Sequence, residues 1–203
     1  MRYRPISPAV LAEELADRID ALPGRVAVAV DGAAGATETK ELADALVDPL
    51  RLRGRAALRV SARGFLRPAS LRFEHGRTNP DARYTDWLDL GALRREVLEP
   101  LKGSGEVLPS LWDAERDRAT RAERVPVPDG GVVLVDGELL LGAGLAFDLA
   151  VHLWLSPAAL HRRVPDAWAV PAYERYEEEA DPGSLADVVV RVDDPRHPAL
   201  YTP

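Results

Sequence analysis

A short loop between two apolar segments carries the residues best suited to chemistry. It runs from Gly32 through Gly35 to Thr39, after an apolar β-branched run at residues 26–30 and before a helical pattern. Small residues followed by a threonine, in a strand–loop–helix context, are typical of loops whose backbone N–H groups bind phosphate while the hydroxyl meets a metal ion. The sequence therefore predicts a phosphate-binding loop over residues 32–39.

Two positions depart from the consensus GxxxxGK[ST], which would begin at Gly32. Thr37 stands where the second glycine is expected, and Glu38 stands where the lysine is expected. That glycine supplies backbone freedom, and the lysine supplies the positive charge that neutralises the β- and γ-phosphates. A carboxylate at residue 38 predicts weak binding of a triphosphate. Lys40 is about 200° further around the helix and is expected to point away from the loop.

Glu38 also has a structural interpretation. An acidic side chain near a helix N-terminus stabilises the helix by roughly 0.3–1 kcal/mol, because it meets the positive end of the helix dipole. We therefore interpret Glu38 as a built-in substitute for phosphate that fills the anion site of the loop from within.

Composition and charge narrow the class of protein. The chain has 203 residues, 46% hydrophobic and 29% charged, with a formal net charge of −7. No basic block is present, so a nucleic-acid partner is not expected. The absence of cysteine excludes disulfides and zinc–thiolate sites. No apolar run approaches the roughly 20 residues of a membrane span, and no signal segment is recognised, which predicts a cytoplasmic protein without a membrane partner.

Apolar segments and helical patterns along the chain predict the strands and helices that position the loop. Strands are predicted at residues 26–30, 57–61, 132–135, 149–155 and 186–192. Helices are predicted at residues 8–22, 39–53, 86–101, 157–163 and 173–179, with a loop at residues 62–83 and a polar tail at residues 195–203. Strands that are apolar throughout and alternate with helices indicate a parallel sheet covered on both faces.

These elements predict one α/β domain over residues 1–203, a three-layer sandwich with a mostly parallel sheet of about five strands. Residues 62–128 are expected to form an excursion over the carboxyl ends of the strands. Ligands of such sheets bind at that edge.

Several segments, in order, resemble the uridine kinase family of P-loop nucleoside kinases, particularly a divergent actinobacterial branch with a degenerate Walker A loop. They are residues 30–32 (Val-Asp-Gly), 61–68 (matching the family's S-x-D-D-F-x-R-P), 84 and 87–101, 133–137 (Val-Leu-Val-Asp-Gly) and 186–190. The resemblance spans residues 24–194. It implies a P-loop kinase-type sandwich, a nucleoside acceptor, and ATP with Mg²⁺ as cofactors if the chain is active.

The resemblance also implies where the catalytic groups belong. The family's catalytic carboxylate, which accepts the proton of the nucleoside hydroxyl, matches Arg63, and the next acidic position matches Gly64. Thr39 and Asp136 match the positions that would hold the metal ion. The catalytic residue is therefore unassigned, and both the lysine and the base are missing from their expected places.

Other side chains are candidates for a ligand site around the loop. Arginines could supply positive charge to an anion, aromatic rings could stack on a base, and acidic residues that end buried strands could face the ligand. A solvated surface position or ordinary packing remains the alternative for each. The candidates are Asp31, Arg63, Arg67, Arg72, Arg77, Tyr84, Trp112, Asp136, Arg162 and Arg163.

The four histidines do not form a metal-binding pattern. His152 lies within a predicted strand, and we interpret it as a core residue with a hydrogen-bond partner. His75, His161 and His197 are scattered along the chain.

Three functions remain open from the sequence. The chain could be a uridine kinase-like phosphotransferase whose missing groups come from elsewhere in the protein. It could be a pseudokinase that binds a nucleoside, a nucleotide or another small ligand without transferring phosphate. It could also be an interaction or scaffold protein that keeps only the fold. We expect weak or absent kinase activity, and the sequence leaves the oligomeric state open.

Overall fold

The structure, a computed structural model, describes residues 2–202. In chain order the strands are β1 (Arg2–Pro5), β2 (Val26–Gly32), β3 (Ala57–Ser61), β4 (Glu106–Val107), β5 (Trp112–Asp113), β6 (Arg118–Ala119), β7 (Val125–Pro126), β8 (Val132–Gly137), β9 (Leu149–Trp154), β10 (Val188–Arg191) and β11 (Ala199–Thr202). Seven of them form one sheet in the order β1-β11-β10-β9-β2-β8-β3. The others form two short ladders, β4 with β7 and β5 with β6.

The central sheet is mostly parallel. Strands β3, β8, β2, β9 and β10 run parallel to one another, β11 is antiparallel to β10, and β1 is antiparallel to β11. This confirms the predicted α/β class but corrects the number of strands. The two added strands come from opposite ends of the chain, with Tyr3 opposite Tyr201. A strand of four residues has no pattern strong enough to reveal a partner so distant in sequence.

The helices are α1 (Pro8–Asp20), α2 (Thr39–Leu52), α3 (Ala69–Arg72), α4 (Pro80–Thr85), α5 (Leu90–Leu93), α6 (Glu99–Lys102), α7 (Pro157–Arg163), α8 (Val170–Glu179) and α9 (Pro182–Leu185). A π-helical stretch, Arg94–Leu98, joins α5 to α6, and 3₁₀ turns occupy Ala62–Phe65 and Ala167–Ala169. None of the helices within the described range has the length and apolar character that crossing a bilayer requires.

Side-chain caps explain where several helices begin. The Ser7 hydroxyl accepts the N–H of Val10 at the start of α1, as the serine–proline pair predicts. The side chain of Asn79 caps α4, within the segment predicted to be a loop. Asp89 caps α5, so the helix predicted from residue 86 begins only at Leu90. Polar caps thus divide the excursion into short helices that its irregular apolar pattern does not reveal.

The core lies in two clusters, one on each face of the sheet. Along β2, the side chains of Val26, Val28 and Val30 belong to one cluster, and those of Ala27 and Ala29 belong to the other. Helices α1 and α2 cover the first face, and the helical stretch from α5 to α6 covers the second. The carboxyl ends of β2, β3 and β8 therefore open between two helical layers.

Candidate functional site

A cleft of about 700 Å³ lies at the carboxyl ends of β2, β3 and β8. The loop after β2 contributes Gly35, Thr37 and Thr39 to one wall. The excursion contributes the opposite wall, and Asp136 at the end of β8 lines the cleft between them. The segment between α7 and α8 also lines the cleft, and Pro165 lies 3.1 Å from where a Cβ on Gly35 would stand.

The loop is folded onto its own backbone. The carbonyl of Ala33 accepts the N–H of Ala36 at 3.1 Å, the N–H of Thr37 at 2.9 Å and the Thr37 hydroxyl at 3.0 Å. The N–H of Ala34 donates to the Tyr173 hydroxyl at 3.1 Å. Because these three N–H groups already donate hydrogen bonds within the protein, they are not free to hold a phosphate.

Thr37 closes the loop at the position where the consensus has glycine. Its side chain is buried, and its hydroxyl would lie only 2.5 Å from a Cβ added to Gly32. Gly32 therefore has to be glycine because Thr37 is packed over it. The substitution at residue 37 supplies a side chain that crosses the base of the loop.

Glu38 does not fill the anion site, so the interpretation as a built-in phosphate substitute is wrong. It is the N-cap residue of α2, but its side chain makes no capping hydrogen bond. Its carboxylate instead lies 3.4 Å from the guanidinium of Arg163, which also donates to the Val192 carbonyl. Burial raises the pKa of Glu38, and Arg163 opposes that rise. The carboxylate is drawn sideways toward Arg163, away from the mouth of the loop.

Lys40 lines the cleft, which corrects the expectation that it points away. The predicted angle of about 200° between residues 38 and 40 holds only if residue 38 already belongs to the helix. Glu38 instead has φ −92° and ψ 54°, and α2 begins at Thr39. Lys40 therefore lies in the first turn of α2, at the rim of the cleft.

Asp136 is engaged by a cation of the protein. Its carboxylate accepts hydrogen bonds from Arg59 Nε at 2.7 Å and from the Ser61 hydroxyl at 3.3 Å. Burial raises the pKa of Asp136, and Arg59 lowers it. A divalent cation at Asp136 would have to displace the Arg59 guanidinium.

The residues present do not fit Mg²⁺ with ATP. Three of the loop N–H groups are occupied, Glu38 replaces the lysine, and Asp136 is paired with Arg59. Across residues 2–202, no group of three or more histidine, aspartate or glutamate side chains is arranged to hold a metal ion. We therefore derive no chemical step through a magnesium nucleotide.

Asp31 lies beneath the loop and outside the cleft lining. Its fully buried carboxylate accepts the Leu140 N–H at 2.9 Å, the Tyr176 hydroxyl at 3.0 Å and His152 Nδ1 at 2.8 Å. His152 is thus a core residue with a hydrogen-bond partner, as its position in a strand indicates. Burial alone would lower the pKa of His152, but Asp31 and Glu177 outweigh it and raise that pKa to about 9.

The structure brings only some of the candidate side chains to the cleft. Arg63, Arg72, Tyr84 and Asp136 line it together with Gly35, Thr37 and Thr39 of the loop. Arg63 is exposed and pairs with Glu115 at 3.1 Å. The candidates outside the lining are Asp31, Arg67, Arg77, Trp112, Arg162 and Arg163.

Two of the outlying candidates have structural contacts of their own. Arg77 lies over the Phe73 ring at 5.0 Å, and the Trp112 indole donates to Asp117 at 3.1 Å. These contacts account for both side chains without a ligand.

Sequence reasoning missed a second ion pair in the cleft. Arg83 donates to both carboxylate oxygens of Glu138, at 3.0 and 2.8 Å, and lies over the rings of Trp87 and Trp168 at 4.9 and 5.4 Å. Tyr173 donates to the same carboxylate. Glu138 directly follows the end of β8 at Gly137, so its position at the carboxyl end of a buried strand could have identified it. Arg83 and Trp168 come from distant segments and carry no local signal.

Comparison with known proteins places the architecture. No protein-family model and no curated protein matches this chain. A solved structure of a possible uridine kinase from Bacillus stearothermophilus does match, with a TM-score of 0.73 and 21% identity, over 88% of this chain and 96% of that one. This chain has the uridine kinase-like P-loop kinase fold.

Two further structures share that fold with lower similarity. A candidate fructose transport system kinase from Silicibacter sp. TM1040 has a TM-score of 0.57 at 22% identity, over 82% of this chain and 95% of that one. The YGR205w protein has a TM-score of 0.55 at 11% identity, over 97% of both chains. The P-loop kinase fold is thus common to all three, and the cleft described above lies at the ligand-binding edge expected for such sheets.

Proposed function

We propose that this chain is a binding protein built on a uridine kinase-like fold. It takes a nucleoside or nucleotide into the cleft and does not transfer a phosphoryl group. The observation that carries this proposal is the loop, in which Ala33 accepts the hydrogen-bond donors of Ala36 and Thr37. A loop closed in this way has fewer free donors for a triphosphate.

The cleft has the properties of a small-molecule site. Its volume of about 700 Å³ falls within the roughly 300–1,000 Å³ of ordinary ligand pockets. Tyr84, Trp87 and Trp168 line it with aromatic surface that suits contact with a planar base. The nucleoside is suggested by one structural neighbour, which is described as a possible uridine kinase. We place the protein in the cytoplasm, with neither nucleic acid nor membrane as its partner.

The remaining chemistry of the cleft argues against transfer. Phosphoryl transfer depends on cations at the transferred group and on a base or positioning group at the acceptor. Arg63 stands at the position of the base, and Arg59 neutralises Asp136. ATP and Mg²⁺ are accordingly not cofactors in this proposal.

Ligand-induced stabilisation and product formation test the proposal together. A ligand at 100 times its dissociation constant stabilises the folded protein by about 2.7 kcal/mol. We expect uridine or uridine 5′-monophosphate to raise Tm, and no ADP to form from Mg-ATP and uridine. Turnover of Mg-ATP with uridine would show that the chain is an enzyme. An unchanged Tm with every nucleoside and nucleotide would favour the scaffold.

A restored loop provides the sharper test. The double variant Thr37→Gly, Glu38→Lys removes the hydroxyl that bonds Ala33 and supplies an ammonium group. We expect it to bind Mg-ATP at least about tenfold more tightly than wild type, measured by calorimetry, since one charge-assisted hydrogen bond contributes roughly 1.5–3 kcal/mol. Asp48→Lys, an equal change of charge at an exposed site of α2, is the control. Equal ATP affinity in wild type and the double variant would contradict the argument from the loop.

A further inference from the structure

Arg72 is a buried cation of the cleft wall without a carboxylate partner. It is only 5% exposed and lines the cleft. Its Nε donates to the Arg67 carbonyl at 2.7 Å and its Nη2 to the Ala114 carbonyl at 3.2 Å. Unlike Arg59 and Arg83, it forms no ion pair within residues 2–202.

A comparison with Arg55 shows what is missing around Arg72. Arg55 is similarly buried, at 9% exposure, and all three of its nitrogens donate to backbone carbonyls. The Nη1 of Arg72 makes no hydrogen bond to the described part of the chain. A guanidinium in a protein interior normally has its donors satisfied and its charge balanced, because an uncompensated buried charge is costly.

The unpaired nitrogen is open to the cleft. Among residues 2–202, the fully enclosed side-chain atoms without a partner are Arg83 Nε and His152 Nε2. Arg72 Nη1 is therefore not sealed inside the protein, and the cavity that Arg72 lines is the cleft. A ligand group in the cleft can reach it.

Two of the carboxylates that line the cleft are already paired with arginine side chains. Asp136 is neutralised by Arg59, and Glu138 is neutralised by Arg83. Burial lowers the pKa of Arg72, an effect that Asp117 opposes and the nearby positive charge of Arg63 reinforces.

Arg63 can join Arg72 at little cost. It lines the same cleft, and its partner Glu115 is highly exposed. Ion pairs between exposed side chains contribute little stability, so Arg63 can exchange Glu115 for another anion.

The aromatic surroundings hold the Arg72 guanidinium in place. It lies over the Phe73 ring at 4.8 Å and over the Trp87 ring at 5.4 Å. A guanidinium whose plane is fixed in advance loses less side-chain entropy when it binds an oxyanion through its fork of donors.

We propose that Arg72, together with Arg63, binds an oxyanion carried by the cleft ligand, either a phosphate monoester or a carboxylate. The anionic group then lies on the excursion wall and not in the loop after β2. The identity of the ligand's nucleoside body rests on the proposed function, whereas the anion site rests on Arg72 itself. The preferred ligand is accordingly an anionic nucleoside derivative and not the neutral nucleoside.

Calorimetry with four probes tests the site on the full chain. They are uridine, uridine 5′-monophosphate, a uridine 5′-carboxylate and inorganic phosphate. We expect the better of the two anionic nucleosides to bind roughly ten- to a hundredfold more tightly than uridine, as one charge-assisted hydrogen-bonded contact provides. The ranking of phosphate against carboxylate identifies the oxyanion.

Variants assign the gain to the named arginines. Arg72→Gln is expected to lose most of the anionic preference, and Arg63→Gln is expected to lose part of it. Arg118→Gln removes a positive charge from an exposed position of the same excursion and should bind as wild type does. If Arg72→Gln fails to fold, Arg72→Lys keeps the charge without the fork, and exposed Arg63 carries the test.

The outcomes separate the anion site from the proposed function. Equal binding of uridine and both anionic derivatives would overturn the anion site and leave the proposed function standing. Binding of inorganic phosphate that depends on Arg72, with no binding of any nucleoside, would support the anion site and refute the nucleoside ligand. Anion binding that is unchanged in Arg72→Gln and in Arg63→Gln would also overturn the site.

Discussion

Buried charges around the loop are balanced inside the protein. Beneath it, Asp31 accepts hydrogen bonds from Leu140, Tyr176 and His152. His152 Nε2 in turn lies 3.4 Å from Glu177. The imidazole of His152 thus lies between two carboxyl groups, one of which, Asp31, is fully buried. Asp31, near the end of β2, thus links the strand to the residues packed beneath the loop.

This pairing predicts a dependence of stability on alkaline pH. The pKa of His152 rises from its ordinary value of 6.5 to about 9 in the folded protein. The stabilisation is therefore complete below pH 6.5 and is lost as the pH rises through about 9, by on the order of 3 kcal/mol. Urea unfolding at pH 6.5, 7.5 and 9 measures it.

The matched variant for this prediction is His152→Gln, which keeps a polar side chain but cannot titrate. It should be less stable than wild type at pH 6.5 and should show a shallower loss toward pH 9. An equally steep loss in wild type and variant would show that other groups cause the pH dependence.

At the scale of elements, one side chain joins the starts of two central strands. Arg55, just before β3, donates to the carbonyls of Asp20 at the end of α1, of Leu22 and Gly24 in the turn before β2, and of Gly130 before β8. Arg55 thereby fixes how three connections meet at the edge of the sheet opposite the cleft.

Removal of this side chain is predicted to destabilise the fold strongly. Arg55→Met should lower the free energy of unfolding by about 1.5–3 kcal/mol, since hydrogen bonds from a charged group contribute roughly that much and the accepting carbonyls are only partly buried. Guanidinium unfolding monitored by circular dichroism measures the change. Arg51→Met, at an exposed position of α2, should stay within about 0.5 kcal/mol of wild type. Similar losses in both variants would refute the role of Arg55.

For the whole molecule, the two hydrophobic clusters share one sheet. Strand β2 places alternate side chains in both, and the excursion packs Phe65 and Leu93 into the second cluster. If the sheet unfolds, both clusters are exposed to solvent at once. The excursion and the sheet are therefore expected to unfold together.

A single unfolding transition is the corresponding prediction. Far-ultraviolet circular dichroism and tryptophan fluorescence should give one common midpoint in denaturant. Trp112 lies in the excursion and Trp154 in β9. Two variants, each with one of these residues as its single tryptophan, therefore report on the two regions separately. An earlier midpoint for Trp112 would mean that the excursion folds as an independent unit.

The site residues that sequence predicted lie beside strongly apolar strands. Thr39 begins the helix after β2, Asp136 lies near the end of β8, and both line the cleft. Arg83 and Trp168 meet there from segments 85 positions apart in the numbering, so no spacing rule links them. The direction of the Glu38 carboxylate also escaped prediction, because it depends on Arg163 from α7.

By itself, the sequence determined the α/β class, the central parallel strands and the departures from the phosphate-loop consensus. Apolar periodicity and residue identity act over a few neighbouring positions, and these features need no more than that. Only the tertiary structure decided that Ala33 closes the loop, that Arg59 neutralises Asp136 and that Arg72 has no ion-pair partner among residues 2–202. Charge balance is a property of the side chains that meet in space, and folding alone selects which of them meet.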